Sequence, residues 1–268
     1  MMFFNLQLSH LLLSLNAVHL AYAVDVSPTA TSSPPTATSS TPGDNSTALP
    51  LNYGVVLFPG FQALDVFGPL DVFNSLAINY TMNLFIIAET LDPVSTKHPM
   101  SMPGTSNFNE AILPTHTFAN PPESLDVLLV PGGGGTRVAA PGLDAPVKFI
   151  TDTYPTLQYL ISVCTGVGLV ARTGILDGLA ATGNKKAWAW VIAQGPNVNW
   201  VTHARWVHTK NIWTTSGISA GLDGTYDFVR TVYGEDVGVN LANNLEYSPI
   251  MDWKDDKFAD LYNLTNIN

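Results

Sequence analysis

The chain has 268 residues, 46% of them hydrophobic and 12% charged, and its 11 Lys+Arg against 21 Asp+Glu leave a net charge of −10. That is enough apolar material for a large core, whereas so acidic a chain repels phosphate backbones and anionic lipid, which makes nucleic acid and membrane surfaces poor partners. A single cysteine, Cys164, excludes an intrachain disulfide and a cysteine-rich zinc site.

Residues 1–23 carry an apolar run around Leu11–Leu15, followed by Ala21-Tyr22-Ala23, a small-x-small cleavage pattern. His10, Ser14 and Asn16 interrupt the run short of the ~20 apolar residues that a membrane span requires. The segment reads as a cleaved secretory signal, with a buried N-terminal helix as the alternative. A mature chain would then be extracellular and free of the membrane. Residues 24–50 are dominated by Ser, Thr, Pro and Ala, which cannot bury enough apolar surface to offset their ordering entropy, so this stretch is expected to be a disordered linker. N-glycosylation sequons stand at Asn45, Asn79 and Asn263.

From Tyr53 the texture changes, and a domain over residues 51–250 is expected, with a tail over 251–268. Tyr53–Phe58, Met82–Ala88, Asp126–Val130 and Gln158–Val163 are short, continuous apolar runs, as strands buried on both faces of a parallel sheet require. Helical patterns lie around Asp65–Ile78, Val147–Tyr154, Thr165–Arg172, Lys185–Ala193, Ile218–Tyr233 and Asp236–Leu245. This alternation predicts an α/β sandwich. Trp200–Trp213 reads as a β-hairpin leading into a last core strand.

Three positions could carry chemistry. Cys164 sits where the buried run QYLISV meets a helical pattern; a residue at that junction projects from the sheet's carboxyl edge, as on a nucleophile elbow, here with Gly166 and without the full G-x-S-x-G pattern. A helix N-terminus there should lower its thiol pKa, and the Thr165 N–H is placed for a developing oxyanion. The alternative is an inert buried cysteine. Pro131-Gly132-Gly133-Gly134-Gly135 follows the strand Asp126–Val130 and lacks the endings of a phosphate loop, so Gly133 and Gly134 are better read as an oxyanion loop facing Cys164. Asp65, among Leu64, Val66 and Phe67, is a costly carboxylate whose pKa should rise beside a thiol, which suits a general acid; the alternative is a helix N-cap. His203 and His208 fall on opposite faces of the expected hairpin, against a metal pair.

FPGFQALDVFGPLDVF, DVLLVPGGGG, ISVCTGVGLVARTGILDG and WTTSGISAGLDGTYDFV occur in an order that resembles the ThiJ/PfpI family of the class I glutamine-amidotransferase-like superfamily, from about Tyr53 to Tyr247. Within it, Asp65…Gly68-Pro69 and Cys164-Thr165-Gly166 look like the isonitrile hydratase branch. The resemblance implies a flavodoxin-like three-layer sandwich, mostly parallel and usually dimeric, with Cys164 as nucleophile. It further implies that Asp65 hydrogen-bonds the thiol, that Thr165 positions water, that Gly133 and Thr165 supply oxyanion N–H groups, and that Gly68 belongs to the substrate-binding set. No metal or organic cofactor is implied. The chain departs from the branch at Thr182-Gly183-Asn184, where bacterial hydratase-like members often have Thr-His-Trp. The expected function is hydration of an isonitrile to an N-substituted formamide, with two alternatives: another cysteine hydrolase or aldehyde-processing enzyme, or a secreted redox-responsive or binding protein.

Overall fold

The computed structural model describes residues 48–99, 106–139 and 141–264. The secretory signal, most of the linker and Asn45 lie outside the described residues. From Thr47 onward the chain is one compact unit, and Pro50, placed in the linker, is already buried against it.

In chain order the elements are β1 (Asn52–Val56), α1 (Ala63–Leu76), β2 (Asn83–Ala88), β3 (Val94–Ser95), β4 (Ala111–Ile112), β5 (His116–Thr117), β6 (Val127–Val130), α2 (Asp144–Thr153), β7 (Tyr159–Ser162), α3 (Val167–Arg172), β8 (Ala180–Ala181), α4 (Trp188–Ala193), β9 (Asn199–Trp200), β10 (Trp206–Thr209), β11 (Ile212–Thr215), α5 (Ser219–Tyr233), α6 (Glu235–Asn244) and α7 (Lys257–Leu261). The main sheet has seven strands in the order β10-β11-β7-β6-β1-β2-β5, and every pairing in it is parallel except β10 with β11. The flavodoxin-like α/β class expected from the sequence is therefore the observed one. Its central strands are buried from end to end, which is why they read as unbroken apolar runs rather than alternating ones.

Two helix groups cover the sheet: α1, α5 and α6 pack together, as do α2, α3 and α4. On α1, Val66, Leu70 and Phe73 recur at helical spacing on the buried face, while Asp71 and Asn74 face outward. Trp213, Tyr226 and Phe228 are among the largest fully buried side chains. Burial of a large apolar side chain stabilises the fold by about 1.5–3 kcal/mol.

Three differences from the expected elements have identifiable causes. The hairpin is shifted: β10 and β11 pair over Trp206–Thr215, while Trp200 lies in β9, parallel to β8. The turn is Lys210-Asn211, with Lys210 at φ 55, the left-handed conformation that tight hairpin turns demand, and no glycine marks it in the sequence. The short strands β3, β4 and β5 were not anticipated, because a two-residue strand leaves no periodicity to read. Residues 251–264 of the segment expected as a tail are folded onto the domain. There, Lys185 Nζ lies 3.2 Å from Asp256 Oδ2 with both side chains almost fully buried, and Asp256 Oδ1 caps α7 by accepting from the Phe258 N–H.

Candidate active site

The strands β11, β7, β6 and β1 are neighbours and run the same way, so the loops leaving their carboxyl ends meet at one edge. Those loops carry Ser216–Ile218, Cys164 and Gly132–Gly134, and the one after β1 leads into α1, whose first turn carries Asp65. Ligands of open α/β sheets bind at this edge.

Cys164 follows β7 after one residue, Val163, and opens a short 3-10 turn, Cys164–Gly166, that leads into α3. Its φ is 62, an unusual conformation for a residue with a side chain and the mark of an elbow under strain. Gly166 makes the bend possible, because a Cβ there would collide with the carbonyls of Val130 and Pro131. Cys164 is buried, with 5% exposure, and its N–H donates to the Ser216 carbonyl at 3.0 Å.

Three N–H donors face its sulfur. Asn184 Nδ2 lies 3.1 Å from Sγ, and the backbone N–H groups of Thr165 and Ile218 also point to it. The Asn184 amide is held in that orientation, since its Oδ1 accepts from the Ala187 N–H at 2.9 Å. Donors of this kind stabilise a thiolate and cannot take the thiol's proton. Burial is nevertheless the larger effect: together with the neighbouring Asp65 charge it pushes the thiol up, to about 12. The lowered pKa expected from a helix N-terminus is thus overturned, because the elbow is dry and shares its space with a carboxyl group.

Asp65 is fully buried. It lies in the first turn of α1, whose N-cap is Gln62, so the alternative reading of Asp65 as an N-cap is excluded. Its Oδ2 accepts from the Gly132 N–H at 3.0 Å, while Oδ1 is buried without a hydrogen-bond partner, and the Cys164 thiol acts on the carboxylate as a further donor. Burial pushes this carboxyl up to about 7. Gly132 has to be glycine: a Cβ there would come 2.6 Å from Thr165 N and 2.9 Å from Asp65 Oδ2.

Thr165, expected to position water, has its hydroxyl committed elsewhere. Its Oγ1 accepts from the Gly133 N–H at 3.0 Å and lies 3.1 Å from Thr136 Oγ1, which ties the glycine loop to the elbow. The Gly133 N–H is therefore already engaged, and Gly134 lies beneath the His98 ring. Gly68 faces Leu222 of α5, where a Cβ would meet its side chain at 3.2 Å; it is part of the contact between two helices. The structure thus brings together Asp65, the glycine loop, Cys164 and Thr165, and leaves Gly68 at a different surface.

Asn184 is the residue that sequence reasoning missed. Its only trace was the departure at Thr182-Gly183-Asn184, since a side chain twenty residues from Cys164 reaches the sulfur only through the fold. His203 and His208 behave as structural or solvated groups: His203 Nε2 lies 2.7 Å from Asp260 Oδ1, and His208 stacks on Trp213 across the hairpin. Among the described residues no cluster of His, Cys, Asp and Glu could hold a metal ion.

Comparison with known proteins agrees with this fold. The chain is 31% identical over 202 residues to an isonitrile hydratase of Pseudomonas putida, covering 75% of this chain and 80% of that one. Among solved structures it is similar to a ThiJ/PfpI family protein from Pseudomonas syringae, with a TM-score of 0.60, 28% identity and coverage of 80% and 84% of the two chains. A DJ-1 superfamily protein from Salmonella typhimurium shares the fold at a TM-score of 0.58 and 19% identity, over 74% of this chain and 99% of that one. Residues 54–233 match the DJ-1/PfpI family as a whole, and with the elbow cysteine, buried carboxylate and glycine loop assembled at one sheet edge, the chain is a member of that family.

Proposed function

We propose that the protein is a cysteine-dependent enzyme acting on a small molecule, and that its reaction is the hydration of an isonitrile to an N-substituted formamide. The observation that carries the proposal is the pairing of a strained elbow thiol with a buried carboxyl group near pKa 7 whose second oxygen has no other partner. A group that titrates near neutrality serves equally well as acid and as base, and the isonitrile hydratase relative supports the reaction class.

In the working form Cys164 keeps its proton and Asp65 is ionised. As Sγ bonds to the terminal isonitrile carbon, the Asp65 carboxylate takes the thiol proton and returns it to that carbon, which gives a thioimidate, R–N=CH–S–Cys164. Water then adds to the same carbon; Asp65 accepts one water proton and the nitrogen receives it. The C–S bond breaks with its electron pair on sulfur, the hydroxyl proton returns through Asp65 to the thiolate, and the formamide leaves. Asn184 and the N–H groups of Thr165 and Ile218 stabilise the sulfur anion on departure. The Thr165 hydroxyl holds the glycine loop, and with it the Gly132 N–H, against Asp65.

The deciding experiment assays isonitriles, α-oxoaldehydes and peptide esters with the wild type and Cys164→Ala. Formamide production that disappears in the variant is the expected result. Turnover of aldehydes or esters alone would move the protein to another reaction of the family, and isonitrile turnover that survives in Cys164→Ala would remove the mechanism.

The secretory signal, glycan and dimer readings also stand as proposals. Asn79 and Asn263 are both exposed, as glycan acceptors must be. Leu64 and Phe67 of α1 are large hydrophobics left more than 40% exposed, which supports a homodimer formed through that surface.

A further inference from the structure

Lys185 carries a buried charge that the proposed reaction does not use. Its side chain is 1% exposed, and an ammonium so far from water has to be met by acceptors and a counter-charge. Four groups from three segments meet it. Nζ donates to Thr182 Oγ1 at 2.6 Å and to the Gly183 carbonyl at 3.2 Å, both in its own loop, and to the Ala204 carbonyl at 2.9 Å. Asp256 of the C-terminal segment supplies the counter-charge through Oδ2, 3.2 Å away, while its Oδ1 is committed to the Phe258 N–H.

The loop that this ammonium gathers is the one that reaches the nucleophile. Asn184, next to Lys185, donates from Nδ2 to Cys164 Sγ at 3.1 Å, and its N–H donates to the Cys164 carbonyl at 3.3 Å. The loop is also fixed at Thr182, whose N–H donates to Thr214 Oγ1 at 3.0 Å. Asn184 is thus held from both sides. The C-terminal segment touches the elbow by a second route as well. The Arg205 N–H donates to the Trp253 carbonyl at 2.6 Å, the Ser216 N–H to the Arg205 carbonyl at 2.8 Å, and the Cys164 N–H to the Ser216 carbonyl at 3.0 Å. That chain of bonds fixes the elbow's backbone, which leaves the ion pair to fix the amide that faces its side chain. Phe258 and Tyr262 of the same segment form one wall of a cavity that Asn184 and Ile218 also line.

We infer that Lys185 and Asp256 are a positioning pair for the nucleophile: the C-terminal segment, acting through this ion pair, holds the Asn184 amide against Cys164 Sγ and so favours the thiolate. The charge matters to the task. An ammonium gathers three oxygen atoms at once because it has three protons to donate, and it stays charged at this depth only with a carboxylate beside it. Asp256 lies beyond residues 54–233, which match the family, so the pair joins an element outside that match to the elbow inside it. The inference concerns the thiol itself and is independent of which electrophile the sulfur attacks.

Cys164 is the chain's only cysteine, so its alkylation by iodoacetamide reads the effect without turnover. Burial holds the thiol up to about 12, and for that reason two roles of the segment move the rate in opposite directions. If the segment merely covers the elbow, loosening it admits water, lowers the thiol's pKa and speeds alkylation. If it positions Asn184, loosening it takes a donor from the thiolate and slows alkylation. Asp256→Asn should therefore slow the reaction at fixed pH by about 10-fold, no more than Asn184→Ala does, and should add nothing in an Asn184→Ala background. A rate that is unchanged or faster, or a slowing that persists in that background, overturns the proposal. Lys185→Met combined with Asp256→Asn removes both charges and strands neither, which keeps the test open where Asp256→Asn alone does not fold. The double variant should also be slowed, and a folded double variant that alkylates at the wild-type rate or faster overturns the proposal.

Discussion

Asp65 and Cys164 share one problem, which is that neither can ionise cheaply where it lies. The carboxyl is pushed up to about 7 and the thiol to about 12, so near neutrality the pair holds one proton or two, and only the one-proton form contains a base. The value of kcat/KM should therefore rise with pH through about 7 and level off above it, a step measured from initial rates across the range. In Asp65→Asn the step should vanish and kcat should fall by about 10²–10⁴-fold, the usual contribution of a placed proton donor. The same variant should be more stable than the wild type at pH 8. A carboxyl whose folded pKa lies above its unfolded value favours folding while protonated and loses that contribution as pH rises through the folded pKa. At pH 8 the replaced ionisation is worth up to roughly 4 kcal/mol, and the gain should shrink towards pH 5; thermal melts at both values check the sign. Asn184→Ala removes a donor to Sγ and should raise the thiol pKa further, slowing alkylation by iodoacetamide at fixed pH by about 10-fold.

At the scale of elements, the chain showed its strands more clearly than its site. β1, β6 and β7 announce themselves because burial on both faces makes them nearly continuous apolar runs, with buried Ser162 the exception in β7. The elbow cysteine and the glycine loop were legible for a related reason, since each abuts such a strand. Asn184 and Ser216 were not legible, for they reach the site through packing between segments that the sequence keeps apart. The C-terminal segment shows the same limit: its attachment includes a buried ion pair, Lys185 with Asp256, between residues that the sequence keeps some seventy positions apart. Asp256→Ala strands a buried ammonium and removes the cap of α7, so it should cost about 3–5 kcal/mol. Limited proteolysis should then cut within residues 250–262 while the sheet remains resistant. Resistance equal to the wild type's would show that the segment is held by its other contacts, among them the Arg205 N–H to the Trp253 carbonyl and His203 to Asp260.

For the whole molecule, the net charge of −10 sets it apart from partners of the same sign. If residues 1–23 are removed on export, mass spectrometry of secreted material should find a mature chain beginning near Val24 and glycan mass at Asn79 or Asn263. An intact Met1 on that material would sink the export reading.

The C-terminal wall has an evolutionary consequence. The family match spans residues 54–233, and Phe258 and Tyr262, which line a cavity together with Asn184 and Ile218, lie beyond it, on α7 and at its C-cap. Selection can therefore redraw which molecules enter by exchanging side chains on α7, while the strained elbow and its carboxyl partner stay as they are. Diversification and chemistry have separate addresses in this chain, and a library at Phe258 and Tyr262 that keeps the buried Asp256 would explore the first without spending variants on the second.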